Sequence, residues 1–192
     1  MSYKVIISIC GPAGAGKTAL AKKLVDTLGK DLACRVPTDY FLKSYNNEGF
    51  EEYISSPFKY DWNLLTKVLQ RRMGTECETP DFDFNKMRRS DKTGGISFFM
   101  RRYIVLDSML PYLESKYIIK LDASAETRLK RIKERDKAQS ANSFLNWKKM
   151  EVTASELDSE KYKFNLLLNG ELDAEINVGK LVEFLTEKRL MG

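Results

Sequence analysis

Residues 3–18 read Tyr-Lys-Val-Ile-Ile-Ser-Ile-Cys-Gly-Pro-Ala-Gly-Ala-Gly-Lys-Thr, and their order decides the fold. Tyr3 to Cys10 is a continuous apolar run with β-branched members, the pattern of a strand buried on both faces. Gly11 to Gly16 is a glycine-rich turn. Leu20, Leu24 and Leu28 then recur at helical spacing, which predicts a helix over 17–28 stopped by Gly29. Gly11-Pro12-Ala13-Gly14-Ala15-Gly16-Lys17-Thr18 satisfies G-x-x-x-x-G-K-[ST] in full, between the strand and the helix where such a loop must sit. Backbone N–H groups of Gly11, Ala13, Gly14, Ala15 and Gly16 can turn inward onto phosphates, and the positive end of the helix adds to that field. Lys17 reaches the β- and γ-phosphates as a point charge, and the Thr18 hydroxyl is a ligand for Mg²⁺. The stretch reads as a P-loop.

Composition narrows what such a site can do. The chain has 192 residues, the size of one domain, and it is read as a single P-loop domain over 1–192. It has no His, which excludes Ser-His-Asp and Cys-His nucleophile pairs and any imidazole base. Proton transfer falls to Asp, Glu, Lys or Tyr. Cys10, Cys34 and Cys77, odd in number and widely spaced, exclude a disulfide scaffold and read as reduced thiols of a cytoplasmic protein. No apolar run approaches the ~18 residues of a membrane span, and no signal peptide is read at the N-terminus. Net charge is +5, yet residues 151–192 carry nine acids against five bases, a local −4, which leaves +9 on the first 150. That asymmetry favours a polyanionic ligand, nucleotide or nucleic acid, in the first three quarters.

Further along, strands are expected at 33–36, 96–100, 103–106, 117–121 and 164–168, and helices at 61–73, 124–137, 141–152 and 174–188, with 40–60 irregular. Short apolar strands alternating with helices indicate an α/β fold with a mostly parallel sheet flanked by helices. Asp107, closing Tyr103-Ile104-Val105-Leu106, is the candidate second metal carboxylate, direct or through water. The alternative is a strand-end cap. Asp122 ranks below it as part of a helix cap. Asp39, at the end of the second strand and followed by Tyr40-Phe41, is the candidate base; it could equally start a turn. Arg128, Arg131 and Arg135 fall within about 60° of one another on the 124–137 helix at ~100° per residue. They make either a lid over phosphates or a solvated charged face. Residues 86–102 are basic, with Lys86, Arg88, Arg89, Lys92, Arg101 and Arg102 against Asp91.

Five ordered features resemble the uridine kinase and phosphoribulokinase group of P-loop kinases, which also holds nicotinamide riboside and pantothenate kinases. These are Gly11 to Thr18, Thr38-Asp39-Tyr40-Phe41, Pro57 through Tyr60-Asp61, Pro80-Asp81-Phe82-Asp83-Phe84, and Thr127-Arg128-Leu129-x-Arg131 with Arg135-Asp136. The resemblance implies a P-loop NTPase fold with a helical lid at about 128–145. It implies transfer of the γ-phosphate of ATP, with Mg²⁺ at Thr18 and Asp107, to a hydroxyl of a nucleoside or related ribosyl compound. Lys17, Asp39 and Arg131 would be catalytic, Asp39 as the base, and Arg135 would belong to the lid over ATP. Asp61 would bind sugar hydroxyls, Phe82 would lie beside the acceptor's ring, and Arg89 belongs to the same acceptor-binding set. Where uridine kinases read the pyrimidine with a Tyr and a His, this chain has Phe82 and Met87; where they favour Glu-Gly, it has Asp107-Ser108. A competing reading is an ATP-binding regulatory protein without acceptor chemistry, and another is a nicotinamide riboside or pantothenate type of kinase. End-phosphorylation of nucleic acid is disfavoured, because 86–102 lacks the interleaved aromatics of a single-strand binder.

Overall fold

The computed structural model describes residues 3–46, 49–56, 59–84, 86–90, 95–139, 151, 154–158 and 160–188. Five strands, β1 (Val5–Cys10), β2 (Ala33–Pro37), β7 (Tyr103–Ser108), β8 (Tyr117–Asp122) and β9 (Leu166–Asn169), form one parallel sheet in the order β2-β7-β1-β8-β9. Helices are α1 (Lys17–Leu28), α2 (Phe50–Ser55), α3 (Trp62–Leu69), α4 (Ala125–Gln139) and α5 (Ala174–Glu187). Two antiparallel ribbons, β3 (Glu76–Glu78) with β6 (Ser97–Phe99) and β4 (Phe82–Asp83) with β5 (Arg88–Arg89), lie outside the sheet.

The two-residue period of the strands sorts the core. Val5, Ile7 and Ile9 of β1 and Tyr103 and Val105 of β7 pack with Leu20, Leu24, Val178, Leu181 and Leu185 of α1 and α5. Ile104 and Leu106 face the other way, onto Val36, Phe41, Leu65, Leu69 and Phe98. Helices on both faces of a parallel sheet are the doubly wound arrangement, which places ligand sites at the carboxyl ends of the strands where the strand order reverses. Here β1 has β7 on one side and β8 on the other, and the P-loop leaves its carboxyl end.

The expected elements stand with some corrections. Helix 61–73 stops at Leu69 because the Lys4 ammonium takes the carbonyls of Leu69 and Arg71, and the chain then turns through Gly74 onto the Met100 carbonyl. Residues 40–60 are not wholly irregular: Gly49 caps the six-residue α2, too short and polar to show a helical period. The ribbons β3, β4 and β5 were not expected, and β6 is shorter than 96–100. In the β3–β6 ribbon only Cys77 and Phe98 turn inward, while Glu76, Glu78, Ser97 and Phe99 stay exposed. The expected strand at 164–168 forms at 166–169, and the helix at 124–137 runs to 139. Pro57, Asp91, Lys92, most of the expected helix 141–152 and the lid beyond 139 lie outside the described residues.

Candidate active site

The P-loop turns back on the sheet and on α4. Gly11 passes so close to β8 that a Cβ there would sit 2.0 Å from the Leu121 carbonyl oxygen. Gly14, with φ of 81°, would place a Cβ 2.6 Å from the Arg128 carbonyl. These positions need glycine for space as well as for backbone conformation. Gly16 caps α1 without a side chain, and the first turn of α1 carries no acid, so its N–H groups and positive dipole end face the loop. Lys17 donates from Nζ to the Pro12 carbonyl at 2.9 Å, which draws the ammonium over the loop. Burial pulls its pKa down, and Asp39 and Asp107 oppose that pull.

Thr18 and Asp107 meet as the motif requires. The Thr18 hydroxyl donates to Asp107 Oδ2 at 2.8 Å. A residue that sequence reasoning missed joins them: Arg35 of β2 donates from Nε and Nη2 to Oδ1 and Oδ2 of Asp107 at 3.1 and 2.9 Å. Register brings it there, since Arg35 stands beside Val105 and Pro37 beside Asp107. The Asp107 side chain is 4% exposed, and Thr18 and Arg35 occupy its inward lone pairs. Mg²⁺ demands oxygen ligands and keeps waters and phosphate oxygens of its own. The Thr18 hydroxyl with a nearby carboxylate suits such an ion. Among the described residues no group of three or more Asp, Glu, Cys or His gathers to cage a metal by itself.

On the β2 side, Asp39 opens a 3₁₀ turn over Thr38–Phe41. Its Oδ1 accepts a hydrogen bond from the Tyr60 hydroxyl at 2.7 Å, and the same Tyr60 oxygen accepts from the Met109 N–H at 3.2 Å. Burial pushes the Asp39 pKa up, while Lys17, Tyr60 and Lys59 pull it back. Asp39 is therefore a largely buried carboxyl held by a phenol, with the Lys17 ammonium as the main charge opposing its burial. Nothing in the sequence marks Tyr60 for a role; only the tertiary contact gives it one.

Asp61 follows and caps α3, its Oδ1 accepting from the Leu64 N–H at 3.0 Å. Its Oδ2 accepts from Arg89 Nη2 at 3.1 Å, and Arg89 Nε donates to the Leu42 carbonyl. Burial opposes ionisation of Asp61, but the cap and Arg89 outweigh it and hold its pKa down. Asp61 and Arg89, expected in one acceptor-binding set, form one ion pair on the β4–β5 side. Phe82 is buried in a cluster with Cys10, Leu42, Tyr60, Leu110 and Ile118, against which Tyr40 and Met87 pack. Phe84 stands edge-on to both Tyr40 and Phe82. The wall beside Asp39 is aromatic and thioether.

The arginine stripe of α4 divides three ways. Arg128 is buried and donates to the Ala123 carbonyl and, through both terminal nitrogens, to Glu151 at 2.5 and 2.9 Å. Its backbone packs against Gly14 of the loop, while its guanidinium is bound to Glu151 beyond α4. Arg131 reaches the P-loop, with Nη1 at 3.5 and 3.4 Å from the Gly14 and Ala15 carbonyls. Arg135 is a turn further on, exposed, and pairs with its neighbour Asp136. Asp122 is not the cap of α4: Ser124 accepts the Thr127 N–H, and Glu171 receives the Ser124 N–H and the Thr127 hydroxyl. No described helix is long and apolar enough to cross a membrane.

No family model matches the chain. It is similar to the uridine kinase of Macrococcus caseolyticus, 32% identical over 114 residues that cover 57% of this chain and 54% of that protein. The uridine kinase of Schizosaccharomyces pombe is 30% identical over 125 residues, 62% of this chain and 27% of the relative. That of Bacillus cereus strain AH187 is 29% identical over 143 residues, 69% and 66% of the two chains. The chain spans about half the length of the Macrococcus relative. Among solved structures, a provisionally assigned fructose transport system kinase from Silicibacter superposes with a TM-score of 0.63 at 16% identity, covering 87% of this chain and 90% of that one. Deoxyadenosine kinase from M. mycoides with bound dATP gives 0.54 at 15% identity, covering 95% and 99%. The fold is that of the P-loop kinases, and the similarity to these uridine kinases covers 57%, 62% and 69% of this chain.

Proposed function

We propose that the protein is an ATP-dependent kinase that moves the γ-phosphate of ATP to a hydroxyl of a small ribosyl metabolite of the nucleoside type. The observation that carries this reading is the pairing of a complete phosphate loop with Asp39, a largely buried carboxyl that accepts from the Tyr60 hydroxyl and has Lys17 as its main opposing charge. A phosphate-binding protein with no acceptor has no physical use for that second feature.

In this mechanism the loop N–H groups and the N-terminus of α1 bind the phosphates, and Lys17 and Arg131 stabilise the charge that spreads over the transferring group. Thr18, with Asp107 behind its hydroxyl, would hold Mg²⁺, which when bound would supply charge neutralisation at the phosphates. Asp39 orients the acceptor hydroxyl and takes its proton as that oxygen bonds to the γ-phosphorus. The bond from phosphorus to the β–γ bridging oxygen breaks and ADP leaves. Asp61, paired with Arg89, has lone pairs left to accept from sugar hydroxyls, and Arg135 completes the nucleotide side. The acceptor ring lies against Met87, with Phe82 buried behind it. With no hydrogen-bonding group at those positions, selection among bases is weak, because an apolar wall discriminates poorly between flat rings.

The test is acceptor-dependent ADP release across a panel of nucleosides, nicotinamide riboside and pantothenate, with ATP alone as control. Asp39→Asn should lower it by ~10²–10⁴-fold, the usual contribution of a general base, and leave ATP affinity nearly unchanged. Release that ignores every acceptor, or an Asp39→Asn variant with full turnover, removes the reading.

A further inference from the structure

The chain at Lys59–Asp61 is pinned to the stretch that follows Asp39. Leu42 and Tyr60 form an antiparallel bridge. The Lys43 N–H donates to the Lys59 carbonyl and the Asp61 N–H to the Phe41 carbonyl, both at 2.8 Å. These bonds set the backbone that carries the Tyr60 phenol against the turn that carries Asp39. Tyr60 is 1% exposed, and its ring stacks on Trp62 with centroids 4.6 Å apart. The phenol oxygen accepts from the Met109 N–H at 3.2 Å and gives its one proton to Asp39 Oδ1 at 2.7 Å. An N–H donating into a hydroxyl oxygen strengthens that hydroxyl as a donor. Asp39 keeps partial exposure. Among the described residues the Tyr60 hydroxyl is the one donor on its side chain, so Oδ2 stays open. One short segment thus serves two carboxyls, since Asp61 caps α3 and pairs with Arg89.

We propose that Tyr60 is a positioning residue of the acceptor side: its hydroxyl, fixed by the Met109 N–H, occupies Oδ1 of Asp39 and leaves Oδ2 as the oxygen that meets the acceptor hydroxyl. The functional meaning of this inference rests on the reading of Asp39 as the base. A carboxyl free to rotate exchanges its two oxygens and carries a proton on either. A donor on one oxygen stops the exchange and favours the ionised form. Burial works against that form; Lys17, Tyr60 and Lys59 oppose burial, and Asp107 adds to it. Tyr53 is a further titratable group that senses Asp39. The phenol itself stays protonated, because burial and the Asp39 charge push its pKa well above the ordinary value.

The test is Tyr60→Phe, which keeps the ring and its stack on Trp62 and removes only the hydroxyl. Carboxyl-carbon NMR of the full chain, with Asp39→Asn to assign the signal, titrates Asp39 without nucleotide or acceptor. In Tyr60→Phe the midpoint should rise by about one unit, a tenfold loss of the ionised form at acidic pH. If Tyr60→Phe does not fold, Tyr60→Met gives the same comparison. An unmoved midpoint in a folded variant without the hydroxyl overturns the proposal. A second readout is ADP release with uridine as probe. On the acid side kcat should fall about tenfold with KM for ATP unchanged. The acid limb of the pH profile should move up with the titration and activity should recover as pH rises, which a packing defect would not produce. A moved titration beside an unmoved pH profile overturns the positioning role. A moved titration in a protein that phosphorylates no acceptor supports Tyr60 as the partner that fixes Asp39 and removes the kinase reading alone.

Discussion

Arg35→Met is the perturbation whose size the structure states most directly. The variant removes two charge-assisted bonds, Nε to Oδ1 and Nη2 to Oδ2 of Asp107, and leaves the Thr18 hydroxyl as the remaining side-chain donor. The Asp107 side chain is 4% exposed and that of Arg35 21%, so water replaces little of what is lost. Breaking a buried pair by deleting one partner costs ~3–5 kcal/mol. The partial exposure of Arg35 argues for the lower end, and two bonds to a charged group at ~1.5 kcal/mol each give about 3 kcal/mol as well. With a urea slope of ~2 kcal/mol per molar, the unfolding midpoint should fall by about 1.5 M. Equilibrium urea unfolding of the two single variants and the double variant then forms a cycle. Asp107→Asn in the Arg35→Met background should be stabilising, because it removes a buried charge left without its partner. A loss under ~1 kcal/mol, or strictly additive effects, would refute the account of Arg35 as the clamp on Asp107.

Two further outcomes follow from close contacts. Gly11→Ala puts a methyl 2.0 Å from a backbone carbonyl of β8, so the loop must shift; ATP affinity by calorimetry should fall by at least tenfold while the far-ultraviolet circular dichroism stays intact. Glu171, acting as an acceptor for the α4 N-terminus, has its pKa lowered to about 2 by the Ser124 N–H and the side chains of Ser124 and Thr127. A depressed carboxylate contributes stability above its unfolded value and loses it as pH falls toward the folded one. Glu171→Gln should therefore flatten the acid-unfolding profile between the ordinary carboxylate range and about pH 2, with no change in slope near neutrality.

Much of the candidate site was legible because its residues act through local backbone geometry. A strand, six glycine-rich residues and a helix fix where Lys17 and Thr18 project, whatever surrounds them. Asp107 and Asp39 were visible as strand ends, since parallel strands share one carboxyl edge. The residues that went unseen act across the sheet. Arg35 reads as an ordinary strand residue until register sets β2 beside β7 and its guanidinium meets Asp107. Tyr60 lies 21 positions from Asp39, in a stretch without a helical or strand period. Arg128 looked equivalent to Arg131 by helical angle, yet Arg128 is buried against Glu151 and Arg131 rests on the P-loop.

The division has a physical cause. Period, turn chemistry and the order of elements depend on neighbours within about four residues, so the sequence by itself determined the phosphate loop, the parallel α/β class and the edge where chemistry sits. Partners for buried charge are chosen by which side chains the packed sheet brings within hydrogen-bond reach. Only the tertiary structure decided that Asp107 is clamped by an arginine, that Asp39 is held by a phenol, and that one arginine of a stripe faces the loop while another ties down the chain beyond it.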